Sequence, residues 1–229
     1  MTERLDKLLS DSGLYSRSEA RALVRAGRVS VDGAAITAPE RKFSRECDIR
    51  VDGERLNCAK YRYFLLDKPE GYVCATEDSR LPTVLELLPE EFHGLGLFPV
   101  GRLDTTGLLL LTNDELRPQG HFPAPDARDL AEEAPVTSED AAAFAEGLTL
   151  ADGTRCLPAG LEPLDGNYCL VRVLEGKYHQ VKRMLASRGK PVTRLRRLSI
   201  GALSLPPASE PGELRELDES AKNLALTQL

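Results

Sequence analysis

The chain has 229 residues, 41% of them hydrophobic and 29% charged, ordinary values that exclude an intrinsically disordered protein and leave room for a small module joined to a larger domain. No apolar run approaches the roughly 20 residues that span a bilayer, and the opening Met-Thr-Glu-Arg-Leu-Asp-Lys is charged where a signal peptide turns apolar, so a cytoplasmic protein with no membrane partner is expected. Net charge is −6, but residues 172–197 carry nine Lys/Arg against one Asp/Glu and residues 1–60 twelve against ten, so two basic surfaces on an acidic body are expected despite the overall sign.

Leu5, Leu8 and Leu9 have helical spacing, and Gly13 stops that first helix. Ser16-Arg17-Ser18-Glu19 reads as a capping box opening a second helix, with Ala20, Leu23 and Val24 on its apolar side and Gly27 at its end. Arg17, Arg21 and Arg25 recur at every fourth position on one face, and Arg28 extends the row. A solvated helix face would carry arginines as well. Val29-Ser30-Val31 alternates like a strand before Asp32-Gly33, a hairpin signal that Asp52-Gly53 repeats, so residues 1 to about 58 read as two short helices followed by a small twisted sheet.

This layout resembles the S4 RNA-binding domain, whose wording appears in Arg4-Leu5-Asp6-Lys7-Leu8-Leu9, in Ser16-Arg17-Ser18-Glu19-Ala20-Arg21-Ala22-Leu23 and in Gly27-Arg28-Val29-Ser30-Val31-Asp32-Gly33. The resemblance implies that the arginine helix lies against RNA phosphates, with salt-dependent binding.

The pattern changes across residues 59–62, taken as a linker, and a second unit is expected over 63–229. Tyr63-Phe64-Leu65-Leu66-Asp67-Lys68 is an apolar strand that stops at Pro69, Leu108–Thr112 a second buried strand and Tyr168–Val173 a third, while 179–188 has helical periodicity. Strands interspersed with a few helices predict an α+β fold around a largely antiparallel mixed sheet.

Three stretches of this unit carry chemistry: Asp67-Lys68-Pro69-Glu70-Gly71, Gly101-Arg102-Leu103-Asp104-Thr105-Thr106-Gly107-Leu108, and Glu175-Gly176-Lys177-Tyr178-His179-Gln180-Val181-Lys182-Arg183-Met184. The middle one puts a carboxylate in a polar turn directly before a buried strand, although an isolated Asp there also serves its own backbone hydrogen bonds. Together they resemble the small-subunit branch of the pseudouridine synthase family, the branch resting on the Tyr178-His179 pair. The resemblance implies a cofactor-free, metal-free isomerisation of a uridine in 16S ribosomal RNA or its assembly particle by a monomer. Asp104 is then the catalytic carboxylate, Lys182 its cationic partner, and Arg102 a grip on RNA phosphate. Lys177, Tyr178, His179, Gln180 and Arg183 become further substrate-binding positions.

The chain departs from the family in two places. Thr105 and Thr106 follow Asp104 at once, where the family inserts two residues, and the stretch between Asp114 and Thr137 has neither a tyrosine nor a strand pattern, where the family has a strand whose tyrosine packs on the uracil. The second departure keeps a non-catalytic RNA-binding or ribosome-assembly protein as the alternative reading.

The five cysteines, Cys47, Cys58, Cys74, Cys156 and Cys169, lack paired spacing and are expected to be reduced, and the three histidines are too scattered for a metal site.

Overall fold

A computed structural model describes residues 2–100, 105–114, 125–130, 135–165 and 167–226, with 125–130 and 225–226 given by their backbone alone. Two compact units make up the chain, the first formed by residues 1–62 with 87–98 and 112–114, the second by 63–86, 99–111 and 115–229.

In the first unit, β1 (Thr2–Arg4) leads straight into α1 (Leu5–Asp11), and α2 (Arg17–Arg25) follows a turn at Gly13. Ser16 and Glu19 close the capping box: the Ser16 hydroxyl accepts from Glu19 N at 3.3 Å, and Ser16 N donates to the Glu19 carboxylate at 2.7 Å. Leu5, Leu8, Leu9, Ala20 and Val24 are fully buried, and they pack with Val29 and Val31 of β2 (Val29–Val31), Ile36 of β3 (Ala34–Ile36) and Cys58. β4 (Lys42–Ser44) pairs with β1, while β5 (Ile49–Val51) and β6 (Glu54–Arg55) complete a four-stranded sheet ordered β3-β2-β5-β6. Both hairpins turn through two residues in the left-handed region, Asp32-Gly33 and Asp52-Gly53, the backbone that matches the strand twist.

Asp6 is a charged residue inside this small core, fully buried on α1. Bonds from Arg4 above all, and then from Arg21, hold its carboxyl well below the usual range although burial works the other way. A group whose folded pKa is depressed stabilises the fold above its unfolded value of about 3.9, and that contribution is lost as pH falls. The melting temperature of the protein is therefore expected to fall more steeply between pH 4 and pH 2 than that of Asp6→Asn, which has nothing to titrate there; parallel curves would remove Asp6 from the account.

In the second unit, β7 (Tyr63–Lys68) is buried at every residue, as a strand covered on both faces must be. A 3₁₀ turn (Val84–Leu87) follows along the chain, then a second (Glu90–Leu95) that belongs to the first unit, then β8 (Phe98–Val100), β9 (Thr106–Thr112), β10 (Pro125–Leu130), α3 (Ser138–Glu146), β11 (Gly160–Pro163), β12 (Tyr168–Arg172), α4 (Gln180–Ser187), β13 (Arg194–Arg197), β14 (Ser199–Ile200), β15 (Leu203–Ser204), β16 (Leu214–Glu216) and α5 (Glu219–Leu226). The main sheet runs β11-β12-β10-β13-β9-β7-β16, with β8 on β9; β13 and β9 run parallel, and the pairs β11·β12, β12·β10, β10·β13 and β16·β7 are antiparallel. The expected α+β class with a largely antiparallel mixed sheet is the observed one. α3 and α4 pack on one part of the sheet around Phe144, Cys169, Val171, Met184 and Leu185. Among the described residues no helix is long and apolar enough to cross a membrane.

One expectation is corrected. The stretch between Asp114 and Thr137 contains a strand, β10, paired with β12 on one side and β13 on the other. Pro-Asp-Ala-Arg-Asp-Leu has no β-branched residue and no alternation, so the strand owes its existence to backbone bonding on two sides, which overrides the weak local preference.

Candidate active site

Asp104 and Arg102 lie outside the described residues. The strand that begins two residues after Asp104 is described, and its first turn of backbone has unusual demands. Thr106 Oγ1 donates to the Leu195 carbonyl at 3.1 Å, and Thr106 and Gly107 face Arg196 and Arg197 in the parallel β9·β13 pair. Gly107 has φ +82°, and a Cβ there would lie 2.3 Å from the Arg197 carbonyl oxygen and 2.8 Å from Arg196 Cγ. Only glycine fits such a position.

The space left by Gly107 is used. Arg196 reaches from β13 past β9 to β7, where its Nη2 donates to Asp67 Oδ2 at 2.6 Å. Asp67 is fully buried, and its Oδ1 has no hydrogen-bond partner among the described residues. A buried carboxylate without a cation costs several kcal/mol, about 3–5 when a pair is broken, so Arg196 is what allows Asp67 to sit in this strand. Sequence reading missed the pair. The signal was present: one carboxylate directly after the apolar run 63–66 demands a cation from elsewhere, and Arg194-Leu195-Arg196-Arg197 supplies it.

The third stretch forms an organised entry to α4. Glu175 accepts from Leu157 N at 2.9 Å, from Gln180 Nε2 at 3.0 Å and from the Lys177 ammonium, while Gln180 Oε1 accepts from Lys177 N at 2.9 Å. Burial pushes the Glu175 carboxyl up, but the bonds from Lys177, Leu157 and Gln180 outweigh it and hold the group below its usual range. Gln180 is thus a buried brace, and Lys177 is tied to the same carboxylate. His179 enters the helix with φ 46°, left-handed for a non-glycine residue, and its ring meets the edge of Tyr178 at 4.1 Å; Tyr178 is 65% exposed. Lys182 is half-buried on the first turn of α4, whereas Arg183 is bonded to Asp152 and to the Tyr178 carbonyl.

In the first unit, Arg17, Arg21 and Arg25 are all exposed on α2. Arg17 and Arg25 make no hydrogen bond or ion pair among the described residues, while Arg21 Nε is bonded to Asp6 at 2.9 Å. Arg28 lies beyond the helix, past Gly27 with φ +73°, and is paired with Asp52 through one edge of its guanidinium, Nε to Oδ1 and Nη2 to Oδ2. Among the described residues no three His, Cys, Asp or Glu converge to hold a metal ion.

Comparison with known proteins bears on all of this. Residues 3–49 match the S4 domain and residues 62–116 match RNA pseudouridylate synthase. YtzG of Bacillus subtilis (strain 168), named an uncharacterized RNA pseudouridine synthase, is 40% identical over 96% of this chain and 97% of its own. Ribosomal small subunit pseudouridine synthase A of Escherichia coli (strain K12) is 39% identical over 94% and 96%. The crystal structure of a pseudouridylate synthase covers 96% of the chain with a TM-score of 0.62 and 34% identity. The alignment with the Bacillus protein, 234 positions long, exceeds the 229 residues of this chain, so that relative has residues within the aligned span that this chain lacks. Identity of this extent, running through an N-terminal S4 domain into a catalytic domain of the same topology, makes the chain a member of the RNA pseudouridine synthase family.

Proposed function

We propose that the protein converts a specific uridine of small-subunit ribosomal RNA to pseudouridine, as a cytoplasmic monomer whose residues 1–58 bind RNA and whose residues 63–229, after a linker at 59–62, catalyse the reaction. The observation that carries this reading is the likeness, over nearly the whole chain, to the Escherichia coli enzyme named for the ribosomal small subunit.

The reaction breaks the bond from ribose C1′ to N1, turns the uracil and joins C5 to C1′; C5 gives up its proton and N1 takes one. No electrons enter or leave, so a carboxylate suffices. Asp104 bonds to C1′ or stabilises its cationic character once the base has been flipped out of the RNA. Lys182 offsets the negative charge in a pocket from which water is excluded. Arg102 grips a phosphate beside the flipped nucleotide, with Tyr178, His179, Lys177 and Arg183 forming the basic wall that Gln180 braces through Glu175. Arg17, Arg21, Arg25 and Arg28 hold the RNA backbone at the N-terminal module.

Because C5 loses its hydrogen, small-subunit RNA carrying tritium at uracil C5 reports the reaction directly. One tritium is expected in solvent per RNA molecule. Tight binding with no release from naked RNA or from assembly particles would overturn the reading, and it is the result that favours a non-catalytic RNA-binding protein, an alternative supported by the lack of tyrosine in β10.

A further inference from the structure

Asp6 receives more cation than its own charge requires. Arg4 approaches it edge on, Nε to Oδ1 at 3.0 Å and Nη2 to Oδ2 at 2.9 Å, the two-bond geometry that satisfies a carboxylate. Arg21, from the middle of α2, adds a third bond to Oδ2 at 2.9 Å. The carboxylate has no exposed surface, whereas the side chains of Arg4 and Arg21 remain 41% and 46% exposed. Arg21 uses only its Nε on Asp6, so both of its terminal amino groups are without a partner among the described residues. The group therefore seals its negative charge inside the core and presents a net positive charge outward, on two guanidiniums fixed against one anchor. Arg17 and Arg25 flank Arg21 at the neighbouring turns of the same helix face, and Lys42 stands opposite Arg4 in the β1·β4 pair.

We propose that Asp6 is a positioning residue that sets Arg4 and Arg21 side by side as a preformed seat for an RNA phosphate. The inference rests on the reading that α2 contacts RNA and adds Arg4 and Asp6 to it. Free arginines lose rotamer freedom when they close on a phosphate; here Asp6 has already restricted both, and their unused N–H groups are available to phosphate oxygens.

Charge alone and positioning predict opposite results for Asp6→Asn in the full-length protein. The variant gains a positive charge, so simple electrostatics makes it bind RNA more tightly; if Asp6 positions the arginines, it binds about tenfold more weakly, a loss typical of a charged hydrogen bond. KM for tritium release should rise by the same factor with kcat unchanged. Arg4→Gln should weaken binding similarly and lower the salt slope by about 0.7, one single-strand phosphate contact. In the Asp6→Asn background, Arg4→Gln should add little. Unchanged or tighter binding by Asp6→Asn, or an Arg4→Gln variant with wild-type affinity and slope, would overturn the proposal. Should Asp6→Asn fail to fold, Arg4→Gln and Arg21→Gln decide, since their side chains are half exposed and each leaves Asp6 one partner. Arg17→Gln with Arg25→Gln separates the two levels: a loss confined to that pair sinks the seat but keeps α2 on RNA, and no loss in any variant sinks both.

Discussion

Asp104→Asn is expected to abolish tritium release, by a factor of about 10⁴ or more, while RNA affinity stays within about twofold. The amide has the shape of the carboxylate but neither its charge nor its nucleophilicity, so it can no longer bond to C1′ or stabilise a cation there. Enzymes that rely on one carboxylate for such a step derive much of their rate from it. The affinity should survive because binding is distributed over the arginines of both units, all of which the substitution leaves in place. Single-turnover assays at saturating enzyme, with RNA binding measured in parallel, read both halves of the expectation. Release at a tenth of the wild-type rate or faster would remove Asp104 from the chemistry, and a parallel loss of affinity would make it a binding residue instead.

Gly107→Ala should produce the largest structural effect of any single methyl group added near this site. The new Cβ would sit 2.3 Å from the Arg197 carbonyl oxygen and 3.1 Å from Arg197 N, both backbone atoms of the adjoining strand, at a φ of +82°. Backbone atoms in a paired strand do not yield as a side-chain tip does, so the β9·β13 pair must open. A loss of about 3 kcal/mol or more is expected, which lowers the melting temperature of a chain of this size by roughly 6–12 °C. Gly71→Ala separates the causes: Gly71 has φ +88° but nothing within 4 Å of the added atom. It should cost only the backbone strain, about 1 kcal/mol. Equal melting temperatures for the two variants would contradict a steric role for the Gly107 position. Because β9 begins two residues after Asp104, Gly107→Ala should also lose activity at temperatures where it remains folded.

Much of the first unit was legible from residue patterns because its elements are local. Ser16 and Glu19 announce a helix start, and two Asp-Gly pairs announce two hairpins, each signal lying within a few residues of the structure it specifies. The two-stranded pairing of Thr2–Arg4 with Lys42–Ser44 was not legible, since three residues are too few for a pattern and the partners lie forty apart. β10 was misread for a related reason, its pairing coming from β12 and β13 rather than from its own composition. The motif around Asp104 stood out at once, as did the segment leading into α4. What sequence could not display is that Asp67 and Arg196, separated by more than half the chain, meet across Gly107. Such a contact is a property of strand order.

The edge pairing of β7 with β16 has a consequence for how the protein comes into being. Leu66 bonds in register with Leu214, so the wholly buried strand formed early in synthesis waits for a partner that lies roughly 150 residues further along the chain. At about 5–20 residues per second, the ribosome takes roughly 10–30 s to deliver it. Throughout that interval one flank of β7 is bare to any other strand in reach. Completion of the catalytic sheet thus waits on residues 214–216, and the nascent chain is at its most aggregation-prone just before they arrive.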